Sequence, residues 1–173
     1  MARRYSTPTP DSPPGSVTRD RERVLFDDSR HDPYQAKGKY QEPTVCSACR
    51  AIYHRGRWAW GEAPEQPHHA ICPACARIRD HLPAGVVTLS GEFFNAHRVE
   101  LLQLAHNTAE RERSRHPLHR IMNVAETPAE AVISTCDVHS ARRIGEALQS
   151  AVDGHLELRF GEGEYSVRVN WKR

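Results

Sequence analysis

Two cysteine pairs constrain this chain more than any other feature. Cys46-Ser-Ala-Cys49 and Cys72-Pro-Ala-Cys75 share a C-x2-C spacing, with 22 residues between the pairs. Two residues between thiolates let both sulfurs of a knuckle reach one ion, and two knuckles complete a tetrahedron. The N-terminal Met1-Ala-Arg-Arg is followed by no apolar stretch, so it does not read as a secretory signal. The chain is therefore read as cytoplasmic, a setting that disfavours disulfides. Cys46, Cys49, Cys72 and Cys75 are expected to hold one structural Zn2+. A rubredoxin-like iron site and a redox-active thiol pair are the competitors. Rubredoxin knuckles usually carry glycine after the second cysteine, whereas Arg50 and Ala76 stand there. His68 and His69 are potential substitute ligands but read as loop histidines. Four thiolates leave the ion no open position to activate water, so the metal is architectural rather than catalytic.

The rest of the chain divides around this module. Residues 1–44 carry Pro8, Pro10, Pro13, Pro14, Pro33 and Pro43 with few large apolar residues. Such a segment buries too little to offset its ordering entropy, and it reads as a disordered or extended arm. Residues 45–82 form the zinc module, a zinc ribbon or treble clef. Arg55-Gly56 suits a hairpin turn, with Trp58 and Trp60 on one strand face, and the second knuckle opens a short helix ended by Leu82-Pro83.

Residues 83–173 read as an α+β domain, β-α-β-β-α-β-β, with two helices on one face of a mostly antiparallel sheet. Val86–Leu89 is a strand, and Phe94, His97, Leu101, Leu104, Ala105 and Thr108 predict a helix from about Glu92 to Arg115. Residues 119–125 and 130–136 follow as strands. Asp137 caps a helix facing inward through Val138, Ala141, Ile144, Gly145, Leu148 and Val152. The mid-helix Gly145 signals close packing on the sheet. In the closing hairpin Leu156, Leu158 and Phe160 alternate inward with Tyr165, Val167, Val169 and Trp171, around a Gly161-Glu-Gly163 turn.

The net charge is +2, and residues 83–173 balance 11 basic against 12 acidic side chains. A protein holding nucleic acid mainly by counterion release would be more basic, so any RNA contact is expected on a defined surface. No apolar run nears the ~18 residues of a membrane helix. The one glycine-rich stretch, Gly161-Glu-Gly-Glu, lacks a P-loop lysine, and no catalytic constellation is legible, so the chain reads as no enzyme. The eleven histidines are scattered and are expected on solvated faces. Cys136, the leftover cysteine, reads as a small buried hydrophobe.

Two surfaces are candidates for RNA. His139, Ser140, Arg142 and Arg143 begin the second helix, and the outward hairpin row Arg168, Asn170 and Lys172 is expected to extend their patch. Lys37, Lys39 and Tyr40 of the arm, with Arg57, Trp58 and Trp60 of the hairpin, form the second.

Asp32-Pro-Tyr, Lys37-Gly-Lys-Tyr, Glu42-Pro-Thr-Val-Cys-Ser-Ala-Cys, Gly56-Arg-Trp-Ala-Trp, Ile71-Cys-Pro-Ala-Cys, His116-Pro-Leu-His-Arg-Ile-Met and His139-Ser-Ala-Arg-Arg-Ile-Gly-Glu-Ala-Leu together resemble an uncharacterised family of small bacterial zinc-ribbon proteins. Thr135-Cys-Asp-Val-His-Ser-Ala-Arg-Arg-Ile is distantly similar to the N-terminal region of the archaeal and eukaryotic adaptor that exports the large ribosomal subunit. That region carries paired CxxC knuckles and a Thr-x-x-His-Ser-x-Arg signature. Here three residues separate Thr135 from His139, and the adaptor's later cysteine pairs and export-signal region are absent, so nuclear export is not implied. The resemblance implies contact with ribosomal RNA through His139, Ser140 and Arg142. The resulting expectation is a non-enzymatic, zinc-stabilised protein on the ribosome, translation-related, acting in stress, hibernation or subunit assembly. The alternative is a protein–protein module or regulator that grips a protein partner through its arm and Trp hairpin.

Overall fold

The computed structural model describes residues 32, 34, 39–161, 163 and 165–173. Lys37 and most of the proposed arm lie outside the described residues. Within them the chain is α+β, with two mixed sheets and four helices. No described helix is long and apolar enough to cross a membrane.

The first sheet is small. Strands β1 (Thr44–Cys46), β2 (Ile52–His54), β3 (Arg57–Ala59) and β4 (His68–Ala70) are ordered β3-β2-β1-β4, with β1 and β4 parallel. The β2–β3 turn falls on Arg55 and Gly56, at φ 52° and 75°. Both central residues of a two-residue hairpin turn of this hand need positive φ. Helix α1 (Pro73–Asp80) follows.

The second sheet has order β6-β7-β5-β9-β8, built from β5 (Gly85–Ser90), β6 (Ile121–Glu126), β7 (Glu130–Thr135), β8 (His155–Phe160) and β9 (Val167–Lys172). The central β5 is antiparallel to β7 and parallel to β9. Side chains alternate along each strand, so one face collects Val87, Leu89, Ala131, Ile133, Val167, Val169 and Trp171. Helices α3 (Arg98–Arg115) and α4 (Val138–Val152) both cover that face, through Leu101, Ala105 and Ala109 and through Ala141, Ile144 and Leu148. No described helix covers the opposite face.

Gly145 sits where α4 crosses the sheet. A Cβ there would lie 2.6 Å from Val169 Cγ1 and 2.9 Å from Leu156 Cδ1, the close approach its mid-helix position implied.

Three details depart from the sequence reading. The helix expected over 92–115 breaks at His97 (φ −119°, ψ 25°) into α2 (Glu92–Ala96) and α3, and His97 is exposed. The break separates a short turn that inserts Phe94 into the core from the long helix that carries Leu101. Backbone N–H groups of Phe93 and Phe94 at the start of α2 donate to the Arg173 carbonyl. Phe160 ends β8 at the sheet edge and is 49% exposed rather than inward. Trp60 falls just past β3, so it does not share a strand face with Trp58.

Candidate metal centre and nucleic-acid interface

The two knuckles are set by different elements. The first closes β1, where Arg50 N donates to the Cys46 carbonyl (3.0 Å) and Cys46 N to the Ala51 carbonyl (2.8 Å). The second opens α1. Cys72 is the N-cap, and Cys75 N donates to its sulfur at 3.5 Å. Pro73 begins the helix, where its missing N–H leaves no bond unmade. All four Sγ atoms lie within 4.8 Å of one another, with Cys49 and Cys72 3.7 Å apart. A tetrahedral ion with metal–sulfur bonds of about 2.3 Å places its ligands about 3.8 Å apart. Donor type, number and spacing therefore fit a four-thiolate metal site.

The electrostatics of the thiols point the same way. Burial opposes ionisation of Cys46, but the N–H groups of Cys49, Cys72 and Ala48 outweigh it and pull its pKa down to about 6. Burial drives the Cys72 thiol far up, and the nearby Cys49, Cys46 and Cys75 push further. Burial raises Cys75 as well. A cation among the sulfurs would offset the burial that raises Cys72 and Cys75.

Arg120 completes the centre. Its side chain is buried, with nitrogens 3.1 Å from Cys49 Sγ, 3.4 Å from Cys75 Sγ and 3.6 Å from Cys72 Sγ. Burial works against the charged guanidinium, yet hydrogen bonds and attraction from Cys49 and Cys75 hold it firmly protonated. Four thiolates around a dication remain net negative, and Arg120 offsets part of that charge. Cys136 stands outside the four-sulfur group. It is 5% exposed and packs with Cys46, Ala51, Cys72 and Ala74. Burial pushes its thiol up to about 12, which fits a packing role.

The proposed RNA residues do not form one surface. Arg142 and Arg143 are exposed on α4, on the covered side of the sheet, while Arg168, Asn170 and Lys172 point from β9 to the open side. Alternation along β9 fixes this, because Val169 and Trp171 take the core positions between them. The continuous patch expected from the sequence is therefore absent. Ser140 is 1% exposed, and its hydroxyl and N–H both donate to the Asp137 carboxylate, so it secures the start of α4 rather than offering a contact. His139 faces Glu112 on α3. Tyr40 and Trp58 are half-buried, their rings packed edge-on at 5.2 Å in a triangle completed by Tyr53. Trp60 donates to the Arg113 carbonyl at 2.7 Å. Lys39 and Arg57 are exposed.

In place of the sheet patch, Arg143 meets two arginines the sequence reading did not single out. Arg111 and Arg115 of α3 line a groove of about 520 Å³ with Arg143, Glu112 and Glu146. Arg111 and Arg115 sit one turn apart on a solvated helix, a pattern without a distinctive sequence signal.

No family model matches the chain, and no curated protein or solved structure is similar enough to it to be compared.

Proposed function

We propose that this chain is a non-enzymatic, zinc-stabilised RNA-binding protein that associates with the ribosome, in stress, hibernation or subunit assembly. The first knuckle, a hairpin and a helix-borne second knuckle read as a treble-clef zinc module. Zinc is the natural ion for four thiolates in tetrahedral array, and saturated ligation supports an architectural role. The observation that carries the RNA reading is the α3–α4 groove. Arg111, Arg115 and Arg143 converge there from two helices, with Arg142 beside them paired to Glu146 at 2.6 Å. Guanidinium forks in a groove suit phosphates along an RNA backbone.

Charge reversal tests it. Arg142→Glu with Arg143→Glu, and separately Arg111→Glu with Arg115→Glu, should each abolish co-sedimentation with ribosomal subunits at low salt while metal content and Tm stay near wild type. Association should also weaken steeply with salt. If both double variants co-sediment as wild type does, the groove is not the contact.

A second reading is favoured by one observation. Trp60 is 38% exposed beside a largely apolar groove lined by Pro43, Ile52, Ala59 and Pro64. A protein partner seated there would make the chain an interaction module with no RNA contact. Wild-type protein that never co-sediments with subunits would favour it.

A further inference from the structure

Away from the cysteine centre, three elements bring metal-ligating atoms to one point. Glu112 lies in the last turns of α3, His119 in the connection to β6, and His139 in the first turn of α4. Their ligand atoms all lie within 4.8 Å of one another. Glu112 Oε2 is 3.3 Å from His139 Nε2 and 3.8 Å from His119 Nδ1. Nitrogen and oxygen ligands about 2.0–2.2 Å from a tetrahedral ion lie about 3.3–3.6 Å apart; the Glu112–His139 gap falls in that range and the Glu112–His119 gap just beyond it. A direct hydrogen bond between His119 and Glu112 would be shorter than 3.8 Å. His119 Nδ1 is in fact buried and has no hydrogen-bond partner among the described residues. Buried polar atoms are rarely left so, and a buried nitrogen without a hydrogen-bond partner, close to a carboxylate and a second imidazole, has a free position for an ion.

The surroundings fit as well. Asp137 Oδ1 lies 3.9 Å from His119 Nε2, on the other side of the ring. At that distance the carboxylate adds negative charge beside the ring rather than a hydrogen bond. The His116 ring stacks on His119 at 4.8 Å, within the same loop.

We propose that Glu112, His119 and His139 form a second metal site, separate from the four cysteines, for a divalent first-row transition ion such as Zn2+. Two imidazoles and a carboxylate select this class over Mg2+ or Ca2+, which prefer all-oxygen cages. Three protein ligands would leave a fourth position for an oxygen ligand, and the His139 side chain is 44% exposed, within reach of solvent. The ion would also pin the end of α3 to the start of α4.

Cobalt(II) titration of tag-free full-length protein holding one zinc per chain tests this. Wild type should take up one further ion per chain, with visible d–d absorption but no thiolate-to-cobalt charge-transfer band. His139→Ala, at an exposed position, and the near-isosteric Glu112→Gln should each weaken that second uptake by more than about tenfold. Both should keep the thiolate-bound zinc and, before cobalt is added, the wild-type Tm. Uptake of only the cysteine-bound ion by wild type would overturn the proposal, as would second-site affinity unchanged in both variants. The latter outcome would leave Glu112 and His139 as a simple ion pair.

Discussion

Arg120 shows what a spacing pattern can and cannot reveal. The four ligands are legible because each knuckle is local, two residues wide, and its chemistry follows from thiolate geometry alone. The guanidinium that neutralises them is 71 residues from Cys49 in sequence, and an arginine between His119 and Ile121 carries no mark of its destination. Arg120→Met should lower metal affinity about 10–100-fold by removing that compensation, and Arg120→Lys should recover part of it. Chelator competition measures both, and unchanged affinity in the Met variant would remove Arg120 from the centre. The thiols also fix how affinity follows pH. Metal binding must displace the protons of Cys72 and Cys75, whose thiols are raised, so apparent affinity should climb with pH through neutrality. Cys46 protonates near pH 6, so the decline should steepen below that point. A pH-independent affinity would contradict this arrangement of thiols. The histidines show the same limit as Arg120. His116, His119 and His139 are spread over two segments, and their stacking depends on how α3 and α4 cross.

At the level of elements, period and punctuation carry most of the information. The inward positions of β5, β7, β9 and α4 follow from alternation and helical spacing, and Asp137 caps α4 as its position before the apolar face implies. Gly145 is the sharpest case, since a mid-helix glycine is unfavourable unless space demands it. Gly145→Ala should therefore destabilise despite alanine's advantage of about 1 kcal/mol in an open helix. The new methyl meets Val169, which is fully buried and has no room to yield, so a net loss of about 1–3 kcal/mol is expected in denaturant unfolding. A stabilised variant would mean that the helix shifts freely over the sheet. The break at His97 and the outward Phe160 were not legible. Both are decided by edges, at the Arg173 carbonyl and the rim of β8, where periodicity continues but the partner layer does not.

Across the whole molecule, the metal module and the larger sheet are joined rather than strung together. Cys46, Ala51, Cys72, Ala74 and Cys136 share one apolar cluster with Leu118 and Met122, and Arg120 crosses the same seam. Stripping the metal should reach beyond the cysteines. A strong chelator is expected to collapse amide-exchange protection over 44–80 and to weaken it over 116–122, while the β5–β9 core stays protected. Protection unchanged at 116–122 would show the seam to be passive.

The position of β5 has a consequence for biosynthesis. It is the central strand, yet one of its two neighbours, β9, is translated only after β6, β7, α4 and β8. On a translating ribosome the metal module emerges first, complete in its four ligands, while one edge of β5 waits unpaired. That interval is when the nascent chain is most exposed to mispairing with other strands. Limited proteolysis of stalled chains should find the 44–80 segment resistant, given its metal ion, well before residues 85–135. Resistance of both segments should coincide only once residues 167–172 clear the exit tunnel.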